Sequence, residues 1–236
     1  MQVARSIQQT LLPRELPALR GWQMANFYQP ARYVGGDFYD FIYFPDGRLG
    51  IVIGDVSGKG VPAALVMATT RSLIRFAAHR LISPGKVLHR VNNLLDPDIP
   101  PNMFVTCQFA LLDPSSGQIL FANAGHNLPF LHCSDQSTEL RATGMPLGLM
   151  PDSEYEERET TLDAGDYMLF YSDGLSEAHN PKQEMYGRER LQAVIEKTHG
   201  DGTGLISNLL SELNAFTGPN WEQEDDITLL AIQRQQ

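Results

Sequence analysis

The sequence predicts an α+β fold with mostly antiparallel sheets, and three observations predict it. Runs that alternate apolar with polar residues, or that are rich in β-branched and aromatic ones, arrive in consecutive groups separated by short turns, as antiparallel hairpins require. Helical patterns arrive in pairs, at 62–81 with 84–95 and at 188–197 with 205–216, and do not alternate one for one with strands as a parallel sheet would demand. The 236 residues contain no internal repeat, low-complexity tract or dividing linker, so about ten strands and four long helices share a chain long enough to bury a substantial core. The helix pairs are expected to cover the outer faces of packed sheets.

Residues 1–12 put Val3, Ile7, Leu11 and Leu12 at helical spacing between Arg5, Gln8 and Gln9, until Pro13 and Pro17 end the pattern. This amphipathic helix, 1–13, is a segment ahead of a domain at 14–236. Its stripe either packs on that domain or forms a seam with a second copy or an upstream module. Strand patterns follow at 22–29 and 37–44, and Asp46-Gly47 turns the second into a third that ends at Asp55; the set reads as adjacent antiparallel strands. A hairpin brings its outer ends together, so Asp37 and Asp55 can lie side by side and share a cation.

Pro62 opens the first long helix, a position that suits a residue without an N–H, and its buried face is drawn from Ala64, Leu65, Ala68, Leu73, Phe76 and Ala77. Ser83 as N-cap with Pro84 behind it starts the second, which buries Val87, Leu88, Val91, Leu94 and Leu95 before the tract 96–101 ends it. Strands at 103–112, 118–123, 128–132, 138–141, 155–162 and 166–171 are separated by turns that include Ala124-Gly-His-Asn127 and Ser134-Asp-Gln136. After the second helix pair, whose last helix lines up Leu205, Leu209, Leu213 and Phe216, a final strand covers 226–232.

There are 28 acidic and 18 basic side chains, a net charge of −10. A field of that sign repels phosphate backbones and anionic lipid, which argues against nucleic-acid or membrane-surface binding as the primary role. Two cysteines, Cys107 and Cys133, make neither a disulfide framework nor a zinc pair. The first residues lack the apolar core of a signal peptide and no stretch approaches a membrane span, so the expected compartment is the cytoplasm.

The chemistry centres on Ile51-Val-Ile-Gly-Asp55-Val-Ser-Gly-Lys-Gly60, a buried-strand pattern ending in a carboxylate and a glycine turn. A single Asp at a strand end is ordinarily a cap or turn former. Here three further acidic turns stand beside strand patterns: Gly35-Gly36-Asp37 with Asp40 beyond it, Ser172-Asp173-Gly174, and Glu224-Asp225-Asp226. Carboxylates repel one another and are kept together where a cation offsets the repulsion, so the four turns suggest one site. With no His or Cys at ligand spacing, the donors suit a hard ion, Mg²⁺ or Mn²⁺, and not zinc. Two such ions ~3.5–4 Å apart activate water against a phosphate ester without a protein nucleophile. Neither Ser57 nor Ser172 stands in a nucleophile elbow. His126 looks exposed in its glycine turn, and hydrogen bonding is the ordinary role of such a residue.

Five ordered motifs, Val34-Gly-Gly-Asp-Phe-Tyr-Asp40, Gly54-Asp-Val-Ser-Gly-Lys-Gly60, Asn123-Ala-Gly-His-Asn127, Tyr171-Ser-Asp-Gly174 and Asp225-Asp-Ile-Thr228, resemble the PP2C-type protein phosphatases of the SpoIIE/RsbU group. The resemblance covers about Leu11 to Ile232. It implies a central antiparallel β-sandwich flanked by helix pairs, and metal-dependent dephosphorylation of phosphoserine or phosphothreonine with two Mn²⁺ or Mg²⁺ ions. Carried over, it makes Asp55 a ligand of both metals and gives one of them Asp37 and the Val56 carbonyl. Asp173 and Asp225 complete the other, with Asp226 supporting them from behind. Ser57 stands where the larger PP2C branch has a histidine, and no arginine matches that branch's phosphate clamp, for which Arg32 and Lys59 are the candidates. The group's substrates imply a phosphorylated STAS-domain anti-sigma antagonist as partner, and its architecture an output domain at the end of a longer sensor or receiver chain. The competing readings are a catalytically silent domain of the same fold that binds a partner, and an acidic calcium-binding module, whose ligands would ordinarily lie in one contiguous loop.

Overall fold

The computed structural model describes residues 2–134, 136–198 and 201–235; Asp135, in the expected Ser134-Asp-Gln136 turn, lies outside them. In chain order the elements are α1 (Gln2–Leu11), β1 (Trp22–Gln29), β2 (Phe38–Tyr43), β3 (Leu49–Val56), α2 (Val61–Ala78), α3 (Pro84–Leu95), β4 (Val105–Leu112) and β5 (Gln118–Ala124). They continue as β6 (Phe130–Cys133), β7 (Gln136–Glu139), β8 (Glu157–Thr161), β9 (Tyr167–Tyr171), α4 (Asp173–Ser176), α5 (Arg188–Lys197), α6 (Gly202–Thr217) and β10 (Ile227–Arg234). They fall into two compact units whose segments interleave in sequence.

The first unit comprises Met1–Glu15, Arg32–Leu128 and Arg141–Thr161. Its sheet has the order β2-β3-β4-β5-β8, antiparallel throughout. The Asp46-Gly47 signal does what its composition predicts: Gly47 takes φ +89°, and β2 folds back on β3 with Phe38 opposite Gly54. Ser83 caps α3 by accepting from the Lys86 N–H, and Val87, Leu88, Val91 and Leu95 are buried, with Asn92 joining them and Leu94 only half-buried.

On α2 the buried face is Ala63, Met67, Thr70, Ile74, Ala77 and Ala78, whereas Leu65 is 65% exposed and Phe76 points outward too. Of the expected face only Ala77 is fully buried. The helix is apolar over much of its circumference, so hydrophobicity alone does not choose its orientation. An ion anchor coincides with the observed one: Asp40, buried on β2, receives Arg75 Nε at 2.5 Å and Arg71 Nε at 3.0 Å, and both arginines flank the Met67–Ile74 stripe. Thr70 enters the core because its hydroxyl donates to the Val66 carbonyl one turn back.

The N-terminal stripe also differs from expectation. The buried residue of α1 is Gln8, while Val3 is 73% and Ile7 57% exposed; Leu12, just past the helix, is buried.

The second unit comprises Leu16–Ala31, Pro129–Leu140 and Leu162–Gln236, with sheet order β1-β10-β9-β6-β7. Leu169, Tyr171, Leu229 and Ala231 form its core with Leu191 and Ile195 of α5 and Leu205, Leu209 and Leu213 of α6. Here β1 pairs with β10, from Trp22 opposite Arg234 to Gln29 opposite Ile227, and is not a neighbour of β2 as the sequence suggested. The eight residues between β1 and β2 exceed a hairpin loop of two to five, so nothing local held those two strands together. Both cysteines are free thiols, Cys107 buried, and no described helix is long and apolar enough to cross a membrane.

Candidate metal centre

Each unit carries one pair of the acidic turns. In the first, β3 delivers Asp55 at its penultimate residue, half-buried, and Asp37 precedes β2 with only 1% exposure. The close approach comes at Gly36: a Cβ there would stand 2.7 Å from the Val56 carbonyl oxygen and 2.9 Å from Asp55 Oδ1. Glycine is therefore required for space, and its absent side chain lets the Asp37 turn close on the carbonyl and carboxylate oxygens. Gly54 plays a supporting part, since a Cβ there would meet the Phe38 ring and the Thr106 carbonyl.

The glycine turn beyond Asp55 is held by a reciprocal pair. The Ser57 N–H donates to the Phe104 carbonyl at 2.9 Å and the Phe104 N–H donates to Ser57 Oγ at 2.9 Å. Gly58 and Gly60 then take φ +89° and +78°, which turns the chain into α2. Thr106, opposite Asp55 across the β3–β4 ladder, was not singled out by the sequence; its hydroxyl lies 3.4 Å from the Asp55 carbonyl and 2.9 Å from His126 Nδ1. His126 is buried and not exposed as its turn suggested, because Asn123 clasps it at both ends, donating to its carbonyl and accepting from its N–H. Its role is hydrogen bonding, and the Asn123-to-Asn127 motif braces the strand that carries Thr106.

In the second unit β9 runs into Ser172, whose N–H donates to the Thr228 carbonyl and whose Oγ accepts from the Thr228 N–H at 2.9 Å. Asp173 opens the one-turn helix α4, where the sequence read only a turn. A Cβ on Gly174 would overlap the Asp226 carbonyl, so this glycine too is a close-approach residue, seating the Asp173 turn on Asp225-Asp226. The two adjacent aspartates divide their work. Asp226 is buried and accepts from the Ala31 N–H at 2.8 Å, while half-buried Asp225 accepts from the Asp226 N–H at 2.9 Å. Gln223 holds the turn by donating to the carbonyls of Asp225 and Gln29.

These donors fit Mg²⁺ or Mn²⁺ chemically: all are carboxylate or carbonyl oxygens, and a glycine close approach is built into each pair. Among the described residues no three His, Cys, Asp or Glu side chains converge as a ready-made cage. Magnesium usually keeps several waters and is bound through one or two carboxylates, a number that the Asp37–Asp55 pair supplies beside the Val56 carbonyl. Arg32 and Lys59 are both exposed.

The family model described as stage II sporulation protein E matches residues 45–235. Over 99% of its length the chain is 30% identical to the phosphoserine phosphatase RsbU of Bacillus subtilis, of which it covers 70%. It is 32% identical over the same share to protein IcfG of a Synechocystis species, spanning 41% of that longer chain. Its fold superposes on the SiaA-PP2C domain of Pseudomonas aeruginosa with a TM-score of 0.86, at 24% identity and covering 98% of this chain and 94% of that one. The expected α+β fold of antiparallel sheets and helix pairs is thus that of PP2C phosphatases, and the chain belongs to the SpoIIE/RsbU group of PP2C-type protein serine/threonine phosphatases.

Proposed function

We propose that this domain hydrolyses phosphoserine or phosphothreonine on a partner protein, with two Mn²⁺ or Mg²⁺ ions as cofactor. Asp55 is assigned to both ions, Asp37 and the Val56 carbonyl to one, Asp173 and Asp225 to the other, and Asp226 to orienting Asp225. The observation that carries the reading is the close approach at Gly36, which sets the Asp37 turn against the Asp55 carboxylate and the Val56 carbonyl at once. When bound, such ions neutralise the phosphate ester and lower the pKa of the attacking water. The protein's part is to hold the oxygens. β3 fixes the Asp55 main chain, and Ser57 Oγ accepts from the Phe104 N–H, a contact that braces the turn. Exposure supports Asp225 as the ligand, because it is half-buried whereas Asp226 is buried against the Ala31 N–H.

The test is hydrolysis of an aryl phosphate with Mn²⁺, Mg²⁺, Ca²⁺ or chelator, on the native chain and on Asp55→Asn. Turnover with Mn²⁺ or Mg²⁺, none with chelator, and an inactive but folded Asp55→Asn are expected; loss of a bridging charge weakens both ions, while the metal-free site sheds a repulsive carboxylate. Near-native turnover in Asp55→Asn would sink the assignment. Metal binding without turnover would point to a silent partner-binding domain, and a response to Ca²⁺ alone to a calcium module.

For the partner we propose a phosphorylated STAS-domain protein, supported by membership of the group and by similarity to a protein named phosphoserine phosphatase RsbU. The matched relatives are longer than this chain, which supports an output domain in a sensor or receiver protein. Exposed Val3 and Ile7 on α1 support a seam with a second copy. Replacing Ile7 and Leu11 together by serine then lowers the molecular mass in solution; an unchanged mass overturns the seam.

A further inference from the structure

The one buried residue of α1 is polar: Gln8, 5% exposed on a helix whose Val3 and Ile7 stand in solvent. Its side-chain amide makes a two-point contact with a single buried residue. Nε2 donates to the Gly35 carbonyl at 2.7 Å, and the Gly35 N–H donates to Oε1 at 3.1 Å. A second fastening lies just beyond the helix, where Tyr39 Oη donates to the Pro13 carbonyl at 3.3 Å. Gly35 and Tyr39 flank Asp37 by two residues on either side, so the N-terminal segment grips the Asp37 turn at both shoulders.

Glycine-rich turns have many accessible conformations, and Gly35-Gly36 has no side chain with which to hold itself. The turn must nevertheless keep Gly36 against the Val56 carbonyl and Asp55 Oδ1. We propose that Gln8 is a positioning residue for metal binding: by pairing with both main-chain groups of Gly35 it freezes the turn that presents Asp37. This rests on the assignment of Asp37 as a metal ligand. A buried amide with donor and acceptor both used specifies one geometry, whereas an apolar side chain there would leave the buried Gly35 N–H and carbonyl unsatisfied.

The probe is Mn²⁺ alone, its binding read from loss of the electron paramagnetic resonance signal of the free ion, alongside thermal melting. Gln8→Met keeps length and apolar contact but removes both hydrogen bonds; at a factor of about five each, the manganese Kd rises by up to about twenty-five-fold. Gln8→Glu keeps the acceptor for the Gly35 N–H but sets an oxygen against the Gly35 carbonyl, and moves Kd the same way. Val91→Ala, in the α3 core of the same unit, lowers the melting temperature with Kd unchanged. Should Gln8→Met fail to fold, Gln8→Glu carries the comparison. A Kd within twofold of native in the Gln8 variants, with binding lost in Asp37→Asn, overturns the role of Gln8 and leaves the ligand assignment standing. Unchanged binding in Asp37→Asn overturns both. An equal rise in Kd for Val91→Ala reduces Gln8 to general stability and overturns the positioning role.

Discussion

Gly36→Ala isolates the geometry on which the proposed metal centre depends. Gly36 is not among the glycines with positive φ, so alanine meets no left-handed-backbone penalty there, and what it changes at the site comes from contact. The new methyl would stand 2.7 Å from the Val56 carbonyl, roughly 0.6 Å short of an ordinary ~3.3 Å carbon–oxygen contact. Asp55 Oδ1, at 2.9 Å, can rotate away, but the Val56 carbonyl belongs to a strand paired with β4 and cannot. The Asp37 turn must therefore move outward by about half an ångström, at an overpacking cost of about 1–3 kcal/mol. If a 1 Å misplacement of a reacting group costs about a hundredfold, a shift of this size predicts a loss of about tenfold in aryl-phosphate hydrolysis and a raised manganese requirement. The assay is a manganese titration of hydrolysis with thermal melting beside it. Gly47→Ala is the control: its φ is +89° with no atom within 4 Å, so it strains a distant turn without touching the site. Native hydrolysis and manganese dependence in Gly36→Ala would refute the close approach as the organiser of the Asp37–Asp55 pair.

Asp225→Asn should reduce hydrolysis far more than Asp226→Asn, since the asparagine Oδ1 can still accept from the Ala31 N–H; equal losses in the same assay would show that the ligand is wrongly chosen. In the first unit, Ile74→Ala should cost about 2–5 kcal/mol in denaturant unfolding and Leu65→Ala less than about 0.5, because the first is buried and the second is not. Hydrogen bonds from the Ser115 hydroxyl and N–H hold the Asp113 carboxyl down to about 2. That value lies below the unfolded ~3.9, so the turn's contribution is complete above about pH 4 and is lost as pH falls through 2. Ser115→Ala should move the Asp113 titration, followed by carboxyl NMR, upward toward the unfolded value.

The sequence by itself determined most of the elements and nominated the candidate ligands. Strand and helix periods, the Asp46-Gly47 hairpin, the Ser83-Pro84 cap and the acidic glycine turns are local signals, readable because each follows from the dihedral or hydrogen-bonding needs of a few consecutive residues. What only the tertiary structure decided is non-local. That β1 belongs beside β10 depends on a partner about two hundred residues away, and no turn chemistry announces it. The orientation of α2 goes with Arg71 and Arg75 finding Asp40, because hydrophobicity was too evenly spread around the helix to decide. His126, expected to be exposed, is buried where Asn123 holds its main chain and Thr106 meets its Nδ1. Gln8, a polar residue on a helix whose apolar stripe stays largely in solvent, counts as core only because Gly35 offers it both an N–H and a carbonyl, a pairing that exists once the chain has folded and not before.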